Sequence, residues 1–327
     1  MPPRLAIVER LPGHTEIMGT FASAALEFGY EPHLLFNQKD EFHMIDYLQK
    51  RLSIPAEQVH DWSYVNDPNA NFDTIVLNTS VVWLDYGWQL RQWNSTKRLL
   101  VLHHHPDDIE MNPFGAPLYL TPTGGDDKWI FPVFSETSDA NNDSGVPHVS
   151  PQLRDVGPPP LPTLTIVGSM QSKDLSAVAD YLKIGGKIIH YDRHRCDVFN
   201  DYASLYTHIR GLGGTQLVAA LCQQTQPLLL WMAVIPASNY TTNRFTGALN
   251  FGVDLNCVMI MPERLRALYE FPGSSVITYQ AAITEPDCLA KLQAPSAELS
   301  EQRKQIQEWA KQRWQKNLAI LEPLLRP

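Results

Sequence analysis

Twice along this chain a short apolar run breaks off into a polar, glycine-bearing loop and passes at once into a helical pattern. In the first instance Leu5-Ala-Ile-Val-Glu9 ends in Leu11-Pro-Gly-His-Thr-Glu16. Met18, Phe21, Ala22, Ala25 and Leu26 then fall on one helix face, Gly29 stands where a C-cap glycine belongs, and Pro32 to Phe36 forms the next apolar run. Uniformly apolar runs suit strands buried on both faces, and strand, helix and strand in such quick succession require a parallel sheet with a right-handed crossover. The second instance begins at Leu164-Thr-Ile-Val167, with a loop at Gly168-Ser-Met170 and Ser172 as N-cap. A helix lined by Leu175, Val178, Ala179 and Leu182 is closed by Gly185-Gly186, and Lys187 to Tyr191 is the following strand.

The same alternation fills the intervals. Further strands are expected at Phe72–Leu77, Arg98–Leu102, Pro117–Thr121, Trp129–Val133, Leu228–Ile235, Cys257–Met261 and Ser275–Tyr279. Helices are expected at Trp83–Trp93, from about Thr246, after Pro262, and from Ser296 to the end, the last with a stripe of Ile306, Ala310, Trp314, Leu318 and Leu321. From Ser135 to Pro162 the composition turns to Asp, Asn, Ser, Gly and Pro, including Pro158-Pro-Pro160. With 327 residues, too many for one ordinary core, the chain divides into a Rossmann-like domain over 1–150, a proline-rich linker over 151–162, a second Rossmann-like domain over 163–295 and a terminal helix over 296–327.

Composition excludes several classes of function. The net charge is −9 and no basic block stands out, so a nucleic-acid surface is not expected and an anionic substrate must be met by local donors. The four cysteines form no CxxC pair, which argues against a zinc knuckle or disulfide framework. The apolar stretch Leu217–Ile235 is interrupted by Gln223, Gln224, Gln226 and Pro227, so it reads as a helix and a strand and no transmembrane segment is expected. No signal peptide is visible, and a cytoplasmic setting is expected.

Candidate chemistry gathers where strands end. Between Ile235 and Leu249 a buried strand stops at Pro236, a polar loop carries Asn239, Tyr240 and Arg244, and a helix opens at Thr246-Gly247. Unpaired N–H groups and partial positive charge at a helix start suit a phosphate, Gly247 allows close approach, and Arg244 adds a charged donor; the plain alternative is a capped helix beside a surface loop. Gly168 and Ser169, and His190, Tyr191 and Asp192, are strand C-terminal ends, where open α/β sheets bind ligands, although Tyr191 also fits a core role and Asp192 a turn. Gly211-Leu-Gly-Gly214 lacks a clear preceding strand and reads as a loop. In the first half, Gly13-His14-Thr-Glu16 offers a histidine of near-neutral pKa, with Glu16 behind it, or simply a capped helix. His103-His104-His105 invites a metal, but neighbouring strand residues point to opposite faces, so cleft-lining donors are expected and no metal. Trp83, Trp88 and Trp93 suit either core packing or a sugar-stacking surface.

Two β/α domains, a proline-rich hinge, a long terminal helix and the loop before Gly247 together resemble the GT-B nucleotide-sugar glycosyltransferases. The resemblance implies substrates bound between the domains and a last helix that crosses back onto the first domain. It further implies a nucleotide-sugar donor on the second domain, held by Gly168, Ser169, His190, Tyr191, Asp192, Asn239, Tyr240, Arg244, Thr246 and Gly247. A glycan or other hydroxyl acceptor would lie near Gly13, His103 and His104, with His14 as base and Glu16 as second candidate. Retaining members carry two glutamates seven residues apart around the donor loop; here Asn243 and Thr246 stand there, and Glu263 and Glu270 come too late. An inverting, metal-independent transfer without cofactor is therefore expected. An epimerase or hydrolase on the same architecture, or a non-catalytic nucleotide- or sugar-binding protein, are the alternatives.

Overall fold

A computed structural model describes residues 1–11, 14–37, 44–104, 107–111, 113–133, 161–169, 173–192, 198–223, 228–235 and 247–326. The first half runs β1 (Arg4–Glu9), α1 (Met18–Glu27), β2 (Glu31–Phe36), α2 (Met44–Leu52), β3 (Val59–Asp61), β4 (Thr74–Leu77), α3 (Gly87–Thr96), β5 (Arg98–His103), α4 (Asp108–Met111) and β6 (Ala116–Tyr119). The second runs β7 (Thr163–Val167), α5 (Leu175–Lys183), β8 (Lys187–Asp192), β9 (Tyr206–Arg210), α6 (Gly214–Cys222), β10 (Leu229–Trp231), α7 (Gly247–Asp254), β11 (Val258–Pro262), α8 (Glu263–Leu268), β12 (Ile277–Tyr279), α9 (Pro286–Leu292) and α10 (Ser296–Leu325).

Each half builds one six-stranded sheet, in the orders β3-β2-β1-β4-β5-β6 and β12-β11-β10-β7-β8-β9, and every pairing is parallel. Counted from its own first strand, the second sheet repeats the order of the first. Both therefore reverse direction once, between β1 and β4 and between β7 and β10, and such switch points open crevices at strand C-terminal ends. The first strand of each half is apolar because helices cover both faces: Leu5, Ala6, Ile7 and Val8 in β1, and Leu164 and Ile166 in β7, are fully buried.

The halves meet through those C-terminal edges. Glu16, ahead of α1, reaches the first residue of α7: a Cβ on Gly247 would stand 2.9 Å from Glu16 Oε1. At the far end of α7, Arg51 of α2 lies 3.9 Å from Asp254 and donates to the Tyr47 hydroxyl. α10 then joins both halves. Trp309 meets Phe131 edge-to-face (centroids 4.8 Å apart) and packs against Phe271 at a tilt (4.2 Å), the Trp314 indole N–H donates to Glu27, and the Asn317 amide pairs with both backbone groups of Phe131. Arg313 lies over the Trp129 ring and donates to the Trp129 carbonyl, while Tyr30 and Arg98 donate to the Leu325 carbonyl.

Several expectations are corrected. Trp129–Val133 is not a strand; Trp129 makes a single bridge to Tyr119, and Asn317 of α10 takes the Phe131 backbone groups that a neighbouring strand would have paired. The N-cap of α5 is Asp174, whose carboxylate accepts from Ala177 N at 3.1 Å, rather than Ser172. A strand, β9, does precede the Gly211 cluster; it is an edge strand whose Thr207 and His208 face half outward, which hid it from an apolar-run criterion. Trp83 sits in a 3-10 turn over Ser80–Tyr86, not in the helix, and α3 begins at Gly87. Trp83 and Trp93 are core residues that meet edge-to-face with centroids 5.6 Å apart, whereas Trp88 is 72% exposed. Among the described residues no helix is long and apolar enough to cross a membrane.

Candidate functional site

At the first switch point the residues beyond β1, β4 and β5 form one polar cluster. Glu9, the last residue of β1, is fully buried. Its carboxylate accepts from Leu11 N (2.6 Å), Asn78 Nδ2 (2.8 Å) and Thr79 Oγ1 (2.7 Å). Burial pushes its carboxyl above the usual range, and the hydrogen bonds pull the other way. The same Asn78 amide donates to the carbonyl of His14 at 2.9 Å, tying the loop after β1 to the end of β4. His104 is half-buried with Nε2 3.1 Å from the Asn78 carbonyl and 3.3 Å from Thr79 Oγ1, and its ring meets that of His14 edge-on with centroids 4.6 Å apart.

His103 and His104 part company, as adjacent strand residues must. His103 is 1% exposed and lies against Tyr119; burial takes its pKa down to about 4, so its imidazole is neutral at physiological pH. It is therefore a buried residue of the sheet, and neither of its ring nitrogens has a hydrogen-bond partner among the described residues. Gly13 lies outside the described residues.

The second switch point carries the opposite charge. Gly168, with φ of +95°, turns the chain after β7, and Ser169 beside it is half-buried. Lys173 follows, pinned across the crevice by an antiparallel bridge to Val234 beyond β10 and by the neighbouring Asp174 N–H donating to the Ala233 carbonyl at 2.7 Å. Its side chain is 5% exposed, and no hydrogen-bond acceptor for its ammonium is found among the described residues. Burial lowers its pKa to about 8, with the nearby Asp192 charge pulling it back up. A buried ammonium without a hydrogen-bonded acceptor is costly, and this one stands at the second switch point. Sequence reasoning missed Lys173, because a lysine between Ser172 and Asp174 in a polar loop reads as solvated.

The other expected donor-side residues divide. Asp192 is buried at the end of β8 and bears on Lys173. His190 is fully buried, with Nδ1 2.6 Å from the Tyr206 hydroxyl and Nε2 2.8 Å from the Gly168 carbonyl. Both ring nitrogens are thus engaged within the protein, and His190 ties the Gly168 turn to β9. The Tyr191 ring belongs to the hydrophobic core, the alternative the sequence left open. Gly247 opens α7 as expected, opposite Glu16; Asn239, Tyr240, Arg244 and Thr246 lie outside the described residues. Among the described residues no group of three or more His, Cys, Asp or Glu is placed to hold a metal ion. A separate hollow of about 500 Å³, lined by His60, Asp61, Ser63, Tyr64, Asn66 and Asp67, lies at edge strand β3 and offers no cation, so the switch points are the stronger candidates.

Two separate parallel Rossmann-like sheets, with a long last helix returning to the first half, define a two-domain α/β protein of the GT-B arrangement. No family model matches the sequence, and no curated protein matches it. Among solved structures, the glycosyltransferase from Rickettsia africae ESF-5 shares the fold over 99% of each chain, with a TM-score of 0.52 and 12% identity. The glycosyltransferase VinC in complex with dTDP overlaps 99% of this chain and 100% of its own at a TM-score of 0.49 and 9% identity. The UDP-GlcNAc 2-epimerase of Methanocaldococcus jannaschii, in complex with UDP-GlcNAc and UDP, overlaps 94% of this chain and 98% of its own at 0.49 and 10%. The likeness to the Rickettsia africae protein is one of fold.

Proposed function

We infer that this chain transfers a sugar from a nucleotide-sugar donor to an acceptor hydroxyl, with the donor's diphosphate held at the second switch point and the acceptor activated at the first. The observation that supports this is Lys173, a buried lysine at the second switch point, bridged to Val234 beyond β10 and under the influence of the Asp192 charge. The diphosphate would take its charge and the N–H groups at the start of α7, with Asn239, Tyr240, Arg244 and Thr246 completing the grip. The acceptor oxygen attacks the anomeric carbon, its proton passes to an imidazole of the first switch point, and the bond from that carbon to the diphosphate breaks with its electron pair going to the phosphate. His14 is the base in this reading, and inversion follows from a single displacement. Lys173 and the α7 dipole stabilise the leaving group where other enzymes use an ion, so a chelator is expected to leave the rate unchanged.

Glu16 takes a different part here. Its carboxylate lies at the first residue of α7, where it complements the helix dipole as a phosphate would. Donor and Glu16 then compete for one positive end. Glu16→Gln is expected to tighten nucleoside-diphosphate binding roughly threefold to tenfold, a change of about 1 kcal/mol, in isothermal titration; weaker binding would place Glu16 among the donor's ligands instead.

The direct test is a thermal-shift panel of nucleoside diphosphates, followed by product analysis with the sugar derivative of whichever stabilises the protein. Stabilisation and transfer to a hydroxyl acceptor are expected, with transfer falling about 100-fold or more in His14→Ala. Absence of any stabilisation overturns the donor site. Binding followed by release of free sugar or by epimerised donor identifies a hydrolase or epimerase, and binding without turnover a carrier.

A further inference from the structure

Glu9 has no part in the transfer as described, yet it is the most deeply buried acid at either switch point. Its donors, the backbone N–H groups of Arg10 and Leu11, Asn78 Nδ2 and Thr79 Oγ1, are all neutral. A carboxylate so placed costs free energy that neutral hydrogen bonds offset only in part. What those bonds accomplish follows from counting protons. Thr79 has one hydroxyl hydrogen, and Glu9 Oε2 at 2.7 Å takes it. Toward His104 Nε2 at 3.3 Å, Thr79 Oγ1 is therefore left with lone pairs only. The other neighbour of Nε2, the Asn78 carbonyl at 3.1 Å, can also only accept. Two acceptors around Nε2 require a hydrogen there, so neutral His104 carries its lone pair on Nδ1. The Asn78 amide is fixed by the same logic, since Nδ2 faces two acceptors, Glu9 Oε2 and the His14 carbonyl.

We propose that Glu9 is the positioning residue of a two-histidine proton-accepting centre, setting His104 as an Nε2–H tautomer through Thr79 and anchoring the His14 backbone through Asn78. The role of this centre in accepting the acceptor's proton rests on the transfer reading; the tautomer lock does not. When His104 takes a proton at Nδ1, the Glu9 charge, relayed by the Thr79 hydroxyl, favours the imidazolium. His14 meets that ring edge-on at 4.6 Å, so a charge on one imidazole disfavours a charge on the other. Asp107, and Asp108 at the start of α4, are the nearest acids along the chain after His104.

The lock can be read directly by long-range ¹H–¹⁵N NMR of histidine-labelled full-length protein, with the His104 resonances assigned by their loss in His104→Gln. Wild-type His104 is expected as the Nε2–H tautomer. In Thr79→Val, and in Glu9→Gln, whose amide can donate to Thr79 and turn the hydroxyl toward Nε2, the Nδ1–H form should gain population and the His104 titration midpoint should fall by about one pH unit. Thr79→Ser, which keeps the hydroxyl, should restore both. Unchanged tautomer and midpoint in Thr79→Val with a wild-type melting curve overturn the proposal, and this outcome does not depend on Glu9→Gln folding. A lock confirmed by NMR in a protein that transfers no sugar would leave the positioning role standing and remove the transfer reading.

Discussion

Lys173→Met is expected to raise the melting temperature of the ligand-free protein and, in the same stroke, to abolish its response to nucleoside diphosphates. The two effects have one origin. Each pH unit of displacement is worth about 1.4 kcal/mol, so a lysine brought from 10.5 to about 8 carries about 3 kcal/mol against its charged form in the fold. An apolar isostere removes that cost, and a net gain of about 2 kcal/mol, or several degrees, is expected once imperfect packing is allowed for. Losing a charge-assisted contact should weaken diphosphate binding about 10- to 100-fold. The pH dependence distinguishes this from ordinary repacking. Because the folded pKa is the lower one, the unfolded chain binds the proton more readily, so the full penalty applies below pH 8 and is relieved as pH rises from about 8 to 10.5. Wild-type stability should therefore gain on the variant across that window. Diphosphate affinity should fall up to tenfold per pH unit above about 8 in the wild type and stay flat in Lys173→Met. A variant that melts lower and binds normally would make Lys173 a structural residue.

Trp309→Ala should cost about 3–5 kcal/mol, the range for truncating a large buried aromatic. Its indole is 8% exposed and wedged between Phe131 of the first half and Phe271 of the second. The cavity would thus open where α10 joins two cores, not inside one of them. Urea unfolding followed by near-ultraviolet circular dichroism should show a lower midpoint, and the transition should broaden or split as the halves lose their shared element. The exposed Trp88 provides the contrast: Trp88→Ala should stay within about 0.5 kcal/mol of wild type. A single sharp transition with unchanged midpoint in Trp309→Ala would mean that other contacts of α10, such as Asn317 on Phe131, suffice to couple the halves.

The fold was largely legible because its driving pattern is local. A four-residue apolar core in β1 and another in β7, each followed by a loop and a periodic helix, specify parallel strands without reference to anything distant. Edge strand β9 escaped because one of its faces is wet, and the Trp129–Val133 segment misled because its apolar residues are buried by α10 rather than by sheet pairing. The site was legible only by position. The strand ends at Gly168 and His104 and the helix start at Gly247 could be named as candidates, but whether a side chain meets solvent, core or ligand depends on partners far along the chain. His190 illustrates this, since its second nitrogen is taken by Tyr206 on a strand the sequence did not reveal. Glu9 reads as the polar end of a strand until Asn78 and Thr79, some 70 residues on, close around it. One signal was available: a lone acid ending an apolar run, with Asn-Thr ending the strand that must pair beside it.

The placement of α10 has a consequence during synthesis. Glu27, Trp129 and Phe131 leave the ribosome long before the helix that covers them, by 287, 184 and 186 residues respectively. At about 5–20 residues per second, roughly 10 seconds or more pass in which the nascent first half presents an uncovered aromatic face. A chaperone that shields exposed aromatic surface has its window there, and a stop codon just before Ser296 should turn a foldable chain into one that aggregates, even though both sheets are already encoded.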